Sequence, residues 1–224
     1  MIKETAMQVL FQQLLNGLVN GGVYAMIAVG LTMIFGILDI VNFAHGELYM
    51  VGGYLAYLFA VLLHLPYPMV FVFSICGGAI IGLIAERLVF RPIRGKMHSN
   101  SVIASMGLSI VLANGALMIF TPTPQHIPPP FPDVSMEILG LSFGLLRGIV
   151  LVVAIILIVA ITFFVERTWM GVALRSVAQD RTVAQLMGIN INRVSQVTFA
   201  LGSGLAAAAG VLVGPLLVIE PNMG

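Results

Sequence analysis

Long apolar runs, separated by short polar connections, dominate the pattern of this chain and predict its architecture. The runs are 18 to 29 residues long, and about 20 residues of α-helix cross the hydrocarbon core of a bilayer. Strands of a membrane barrel would be about ten residues long and would alternate strictly. We therefore expect an all-α, polytopic transmembrane helical bundle of about six or more spans. The six runs cover residues 8–36, 47–64, 68–86, 101–120, 147–165 and 195–219.

The composition agrees with a protein embedded in lipid. Apolar residues make up 59% of the 224 residues and charged residues only 8%, whereas soluble domains carry about 25% charged residues. The net charge of +1 and the absence of a large basic cluster give no indication of a nucleic-acid partner. The single cysteine, Cys76, excludes an intrachain disulfide. We expect one transmembrane domain over residues 1–224.

The basic residues predict how the helices are oriented. Eight of the ten lie in two connections that are separated by two crossings, so both connections face the same side. The positive-inside rule makes that side cytoplasmic. The opposite side then receives the proline-rich stretch of residues 121–140, which we expect to be an exposed external loop. The eight residues are Arg87, Arg91, Arg94 and Lys96 in one connection, and Arg167, Arg175, Arg181 and Arg193 in the other.

The first apolar run is longer than one perpendicular crossing requires, and glycines at 17, 21, 22, 30 and 36 interrupt it. It predicts a broken or re-entrant helix near the N-terminus. A single crossing would place the N-terminus outside, and a hidden second crossing would place it inside. The sequence leaves this choice open.

Polar groups then gather in the stretch "GILDIVNFAHGELYMVGGY", residues 36–54. One interpretation is an ordinary turn near the cytoplasmic edge. The other is a broken helix whose freed backbone and side chains line a translocation pathway, as at many transporter sites. The candidate residues are Asp39, Asn42, His45, Gly46 and Glu47.

A second unusual stretch is the connection of residues 166–194, where residues 172–187 show helical periodicity and Gly188 provides a stop. Such an amphipathic helix lies on the membrane lipid, packs on helix ends of its own chain, or enters a groove of a partner. Periodicity alone favours the first two. The predicted apolar side holds Leu174, Val177, Ala178, Ala184 and Met187.

Enzymatic chemistry has little support. His45 and Glu47 lack the i, i+4 spacing of a metalloprotease helix, and the chain has no Gly-rich phosphate loop. We expect no catalytic residue, no metal site and no cofactor in this chain.

Three blocks resemble the LivH-type permeases of branched-chain amino acid ABC importers. They are "LLNGLVNGGVYAMIAVGLTMIFGILDIVNFAHGELYMVGGY", "ERLVFRPIRGK" and "MGVALRSVAQDRTVAQLMGIN", in the same order. The resemblance implies alternating access coupled to ATP hydrolysis, in a bacterial inner (cytoplasmic) membrane. It also implies three kinds of protein partner: a second homologous permease, two ATP-binding subunits that hold ATP and Mg, and an external (periplasmic) substrate-binding protein. Membrane lipid is a further partner, which the composition already indicates. For the polar stretch of residues 36–54, the resemblance favours a pathway or a permease–permease contact.

The resemblance also implies that residues 166–194 form the segment that couples this chain to the ATPase. The general coupling motif, Glu-Ala-Ala-x3-Gly, is matched only at Ala184 and Gly188, because Thr182 and Val183 replace its first two residues. Family members continue through further helices beyond "IEPNMG", so we expect this chain to be short at its C-terminus. The implied coupling residues are Arg175, Asp180, Arg181, Ala184 and Gly188.

The last apolar run carries small residues at intervals of four, which places them on one helix face. Small residues let helices approach closely in lipid, so we expect this face to pack against other helices. These residues are Gly202, Ala206, Gly210 and Gly214.

Other functions remain open at this point. A urea or short-amide importer of the same branch would share these blocks. A stand-alone secondary transporter or channel would work without ATP, and an assembly subunit would not transport at all.

Overall fold

The computed structural model describes residues 2–95, 98–120, 122–129, 135–138 and 141–224. Its helices are α1 (Ile2–Leu38), α2 (His45–Tyr57), α3 (Tyr67–Ala85), α4 (Arg91–Ile93), α5 (His98–Phe120), α6 (Leu145–Arg167), α7 (Trp169–Gln179), α8 (Arg181–Leu186) and α9 (Ile191–Val213). Two π-helical segments, Leu58–Leu62 and Glu86–Phe90, extend α2 and connect α3 to α4. Two short strands, β1 (Ser135–Ile138) and β2 (Leu141–Gly144), complete the described elements.

Five helical stretches among the described residues are long and apolar enough to cross a membrane, which confirms the prediction of an all-α, polytopic membrane protein. They are Gln12–Leu38, Tyr67–Ile93, Ser99–Phe120, Leu145–Arg167 and Ile191–Val213. The remaining apolar run, 47–64, forms α2 and the π-helical turn Leu58–Leu62.

The break near the N-terminus lies after α1 rather than within it. Helix α1 continues through all five of its glycines to Leu38, and the chain leaves the helix at Asp39, whose φ of 56° is left-handed. Six residues, 39–44, then lead to the start of α2. Because α1 is one continuous helix, it makes a single crossing, and its end packs beside α7.

Helix α9 is the centre of the bundle. In the apolar window of α9, 78% of the residues are buried, compared with 11% in α5 and 11% in α6. Helices α1, α2 and α3 surround α9, and its glycines lie at the contacts. A β-carbon on Gly202 would lie 2.8 Å from the carbonyl oxygen of Gly30, and one on Gly210 would overlap the carbonyl oxygen of Tyr49. Ala206 is fully buried, and Gly214 lies against Ile127.

The stretch expected to be an external loop contains secondary structure. Strands β1 and β2 pair antiparallel, with Ser135 opposite Gly144 and Ile138 opposite Leu141. Upstream, Gln125 and Ile219 exchange backbone hydrogen bonds of 2.9 Å, which ties this stretch to the segment after α9. Residues 121, 130–134 and 139–140 of the predicted loop lie outside the described residues.

The predicted single helix over residues 172–187 is wrong, because the chain forms two helices there. Helix α7 ends at Gln179, and Asp180 adopts an extended conformation. Its Oδ1 accepts hydrogen bonds from the backbone N–H groups of Thr182 (2.8 Å) and Val183 (2.9 Å). Asp180 is therefore an N-cap that starts α8.

Candidate functional site

The helix break brings several of the predicted polar residues into the interior of the membrane bundle. Nε2 of His45 lies 3.1 Å from the carbonyl oxygen of Ile27, so that nitrogen carries the proton in this contact. A β-carbon on Gly30 would lie 3.0 Å from the same nitrogen and 2.7 Å from the carbonyl oxygen of Gly202. Gly202 is the twelfth of the 23 residues of α9, so His45 lies level with the middle of a spanning helix.

This position differs from the first of the two interpretations of residues 36–54, an ordinary turn near the cytoplasmic edge, and is consistent with the second, a broken helix. The physical reason is that residues 39–44 are not helical and run back along α1, from Leu38 to the level of Ile27. Asn42 stabilises this return, since its Oδ1 accepts a hydrogen bond of 3.1 Å from the N–H of Ala44. Helix α2 therefore begins inside the bundle.

Asp39 is separated from the other polar residues of the stretch. It lines a cleft of about 310 Å³ together with Val177 and Arg181, on the side where α7 and α8 lie. Asn42, His45 and Gly46 lie deeper, and a β-carbon on Gly46 would overlap the carbonyl oxygen of Gly224. The structure thus divides the predicted group into one residue at the cleft beside α7 and α8 and four around the start of α2.

Glu47 faces α5. Its Oε1 accepts a hydrogen bond of 3.0 Å from the hydroxyl of Ser109, while its Oε2 is buried with no hydrogen-bond partner among the described residues. Nδ1 of His45 and Nδ2 of Asn42 are also buried and have no hydrogen-bond partner among the described residues. Unsatisfied buried polar atoms are uncommon in folded proteins, so their concentration at the start of α2 marks a polar site in an apolar bundle.

A second polar centre lies around Arg94, at the end of the bundle where α7 and α8 lie. Its guanidinium pairs with the carboxylate of Glu86 and donates to the hydroxyl of Ser195. It also donates a hydrogen bond of 2.9 Å to Oδ1 of Asn192. Arg94 therefore joins the π-helical end of α3 to the first turns of α9.

Helices α7 and α8 form a small core of their own beside this centre. Leu174, Val177 and Ala184 are buried together with Ile191 and Val194 at the start of α9. Two residues of the predicted apolar side lie outside this core, since Ala178 and Met187 are exposed. Met187 lies beyond the break at Asp180 and follows the last residue of α8, so the periodicity of α7 does not extend to it. Ala178 lies at the end of α7, where it lines the cleft beside Asp39.

The turn after α8 has the geometry that a glycine stop requires. Gly188 has a φ of 87°, its N–H bonds to the carbonyl of Gln185, and the N–H of Ile189 bonds to the carbonyl of Ala184, each at 3.0 Å. This is a Schellman motif, in which a left-handed glycine satisfies the last carbonyls of a helix. Asn190 then caps α9 by accepting from the N–H groups of Asn192 and Arg193.

The surface of α7 and α8 carries exposed apolar side chains and a basic cleft. The apolar tip of α8 consists of Leu186 and Met187, and Trp169 is exposed at the start of α7. Trp169, Leu186 and Met187 are 91%, 82% and 78% exposed. Next to them lies a cleft of about 590 Å³ that contains three arginine side chains. Partial burial and, secondly, the charge of Arg94 lower the pKa of the Arg181 guanidinium. The arginines of the cleft are Arg91, Arg94 and Arg181.

The predicted coupling residues have different surroundings. Arg175 donates a hydrogen bond of 3.2 Å to the carbonyl oxygen of Glu166 on α6. Asp180 caps α8, Arg181 lines the basic cleft, Ala184 is buried and Gly188 forms the turn. Of these five predicted coupling residues, Arg181 is the one whose charged side chain lines the basic cleft. No cluster of three or more histidine, cysteine, aspartate or glutamate side chains occurs among the described residues.

Sequence reasoning missed Glu86, Ser109 and Ser195. Glu86 carried a usable signal, because it is a carboxylate within an apolar run and the arginine-rich stretch follows it directly. A charged residue in a spanning helix normally faces a partner or water. Ser109 and Ser195 carried no comparable signal, since isolated serines are ordinary in membrane helices.

A bundle of apolar helices long enough to span a membrane, with one helix that starts inside the bundle and two short helices at one end of it, is the architecture of a polytopic membrane protein. The family model described as the branched-chain amino acid transport system / permease component matches residues 13–224. The chain belongs to this permease family.

Curated relatives agree with this placement. The permease protein BraD of the high-affinity branched-chain amino acid transport system of Pseudomonas aeruginosa is 36% identical, over 95% of this chain and 74% of its own length. The corresponding LivH proteins of Salmonella typhimurium and Escherichia coli are 35% and 34% identical, each over 95% of this chain and 73% of their own length. No solved structure matches the chain.

Proposed function

We propose that this chain is the permease subunit of an ATP-driven importer for branched-chain amino acids, namely leucine, isoleucine and valine. Its relatives are named as permeases of such systems, and the similarity covers 95% of the chain. Transport proceeds by alternating access and needs no covalent chemistry in this subunit. ATP and Mg are held by partner subunits.

The observation that carries the energy-coupling part of the proposal is the exposed apolar tip of α8. Leu186 and Met187 project from a segment whose own core is already filled by Leu174 and Ala184. Amphipathic helices commonly insert such side chains into a groove of a partner. The partner proposed here is an ATP-binding subunit, with acidic groups that complement the adjacent basic cleft.

The connection between this surface and the membrane helices is short and well packed. Helix α8 is followed by the turn at Gly188 and the N-cap Asn190, and α9 begins at the next residue, Ile191. The first turns of α9 hold Asn192 and Ser195, which bind Arg94 and through it Glu86 on the α3 segment. A displacement of α8 would therefore move α9 and α3 together.

The remaining partners follow from the same proposal. The sparsely buried helices α5 and α6 supply faces for lipid and for a second homologous permease. The opposite end of the bundle faces an external (periplasmic) binding protein, which delivers the substrate. The assembly lies in a bacterial inner membrane.

The coupling proposal is tested in proteoliposomes that contain the assembled importer. Replacing the apolar tip by Leu186→Ser and Met187→Ser should reduce both co-purification of the ATPase subunits and ATP-driven leucine uptake, each by about tenfold or more, because a helix bound in a groove is held by its apolar anchor side chains. Gln179→Ala, an exposed position outside the apolar tip, is the matched control. Retention of assembly and uptake in the double variant would show that α8 does not dock the ATPase.

A further inference from the structure

The exposed face of α1 carries a tyrosine in the middle of the membrane. Tyr24 is the thirteenth of the 27 residues in the spanning stretch Gln12–Leu38, and its side chain is 69% exposed. The hydrocarbon core is about 30 Å thick, so the middle of the span lies roughly 15 Å from either polar interface. An aromatic side chain cannot snorkel over that distance. Lipid tails offer its hydroxyl neither a donor nor an acceptor.

The hydroxyl of Tyr24 also has no partner within its own chain, because it forms no hydrogen bond with another described residue. Three other exposed polar side chains in the spanning helices each bond to a carbonyl oxygen in the preceding turn of their own helix. These side chains are Thr32, Asn114 and Thr162, with distances of 3.0, 2.8 and 2.9 Å. Tyr24 therefore differs from the polar residues that a lipid-facing helix tolerates, and its hydroxyl requires a partner from another molecule.

The residues around Tyr24 form a continuous exposed face, which we call the Tyr24 face. Gly17 and Gly21 lie on the same side of α1 as Tyr24, since they precede it by seven and three residues. A β-carbon on either glycine would meet no atom within 4 Å, so a recess adjoins the protruding ring. Small residues at intervals of four let membrane helices approach closely. The exposed residues of the Tyr24 face are Gly17, Asn20, Gly21, Tyr24, Ala28 and Leu31.

Asn20 adds a second polar group to the Tyr24 face. Its side chain forms no hydrogen bond with another described residue, and it borders a cleft of about 260 Å³ that also contains Asn16 and Arg147. This cleft lies between α1, the start of α6 and the segment after α9. Polar character therefore extends from the cleft along α1 to Tyr24. Side-chain amides and hydroxyls can hydrogen bond from one membrane helix to another.

We propose that the Tyr24 face packs against a spanning helix of the second permease, with the Tyr24 hydroxyl hydrogen bonded to a polar group of that helix. The inference rests on the proposed function, since that function supplies the partner. Of the proposed partners, the ATP-binding subunits and the external binding protein lie outside the membrane, and lipid cannot bond to the hydroxyl at this depth. Helix α6 lies beside α1 and borders the interface, whereas α5 packs against α2 and is left to lipid.

Photo-cross-linking in the assembled importer, in lipid nanodiscs, tests this contact. The photoreactive residue p-benzoylphenylalanine replaces Tyr24 in one preparation and Ile110 of α5 in the other. Ile110 is the matched control, because it is 63% exposed and is the twelfth of the 22 residues in the span Ser99–Phe120. Illuminated benzophenone inserts into nearby C–H bonds of protein or lipid, so mass spectrometry of the adduct identifies the neighbour. We expect position 24 to cross-link to the second permease and position 110 to give lipid adducts.

Substitutions test whether the contact holds the two permeases together. Gly21→Leu fills the recess and should reduce co-purification of the second permease by about tenfold or more. Gly107→Leu is the matched control, because Gly107 is an exposed glycine of α5 that also has open space at its β-carbon. Tyr24→Phe keeps the ring and removes the hydroxyl, so it should reduce co-purification by about threefold, as for one hydrogen bond between membrane helices. Thermal unfolding of the isolated chains should be the same for wild type and variants.

The outcomes separate this interface from the proposed function. Lipid adducts from position 24, or cross-links to the second permease from position 110 instead, would overturn the inference. Full co-purification of the second permease with both Gly21→Leu and Tyr24→Phe would overturn it as well. If the wild-type importer shows ATP-driven leucine uptake, either result overturns the interface alone. If that uptake is absent, the proposed function fails, whereas the cross-link from position 24 decides the permease contact independently.

Discussion

The ion pair between Glu86 and Arg94 allows the packing of α3 against the start of α9 to be tested quantitatively. The perturbation is the replacement of each partner by methionine, singly and together. The side chains of Arg94 and Glu86 are 7% and 0% exposed, so neither charge is screened by water. Arg94 additionally binds Ser195 and Asn192, which makes it the link between α3 and α9.

The expected magnitudes follow from this burial. Removing one partner of a buried ion pair costs about 3–5 kcal/mol, because the other charge remains unpaired. In the double variant no charge is stranded, and the main loss is the two charge-assisted hydrogen bonds to Ser195 and Asn192, at about 1.5–3 kcal/mol each. Arg94→Met loses the same two hydrogen bonds and also leaves the buried Glu86 carboxylate unpaired, so the double variant should be more stable than Arg94→Met.

Thermal unfolding of the detergent-solubilised protein measures the relative stabilities of the single and double variants. A loss of 3–5 kcal/mol corresponds to a decrease in Tm of roughly 10 °C for a chain of this size. Arg87→Met is the matched control, since Arg87 lies exposed on the same π-helical segment and should shift stability by no more than about 0.5 kcal/mol. If the single variants at Glu86 and Arg94 behaved like this control, or if the double variant added their losses, the buried pair would not hold α3 and α9 together.

Three further substitutions test local features of the structure. Asp180→Ala removes the α8 cap and should destabilise that helix by about 1 kcal/mol, which hydrogen exchange in residues 181–186 would detect; unchanged protection would contradict the cap. Gly188→Pro, which cannot adopt the φ of 87°, should reduce leucine-stimulated ATPase activity more than Gly188→Asn, and equal activities would show that the turn geometry is unimportant. Gly52→Leu would force α2 away from the backbone of Ala207 and should lower Tm and the yield of folded protein, whereas Gly36→Leu, with open space at its β-carbon, should leave both unchanged.

Much of the membrane topology could be predicted from the sequence, because spanning helices are local features. A run of about 20 apolar residues must be helical in lipid whatever it packs against. The clustering of arginines likewise assigns both polar connections to one side. The spans that contain Ser99–Phe120 and Leu145–Arg167 were predicted within two residues at each end.

The interior of the site could not be predicted in the same way, because it depends on contacts between distant segments. His45, Gly30 and Gly202 meet only when three helices pack, and Arg94 finds Ser195 across 101 residues of sequence. The break at Asp180 was missed for a different reason. An aspartate in an amphipathic pattern can lie on a polar helix face or start a new helix, and periodicity does not distinguish these two roles.

The central claim is tested most directly by leucine uptake into proteoliposomes that contain this permease, its partner permease, the ATP-binding subunits and the external binding protein. The account predicts accumulation of leucine against its gradient when ATP and Mg are supplied to the cytoplasmic side, and no accumulation when ATP, the ATP-binding subunits or the binding protein are left out. Equal uptake by the permease without ATP or partners would contradict it and would identify a secondary transporter or channel instead.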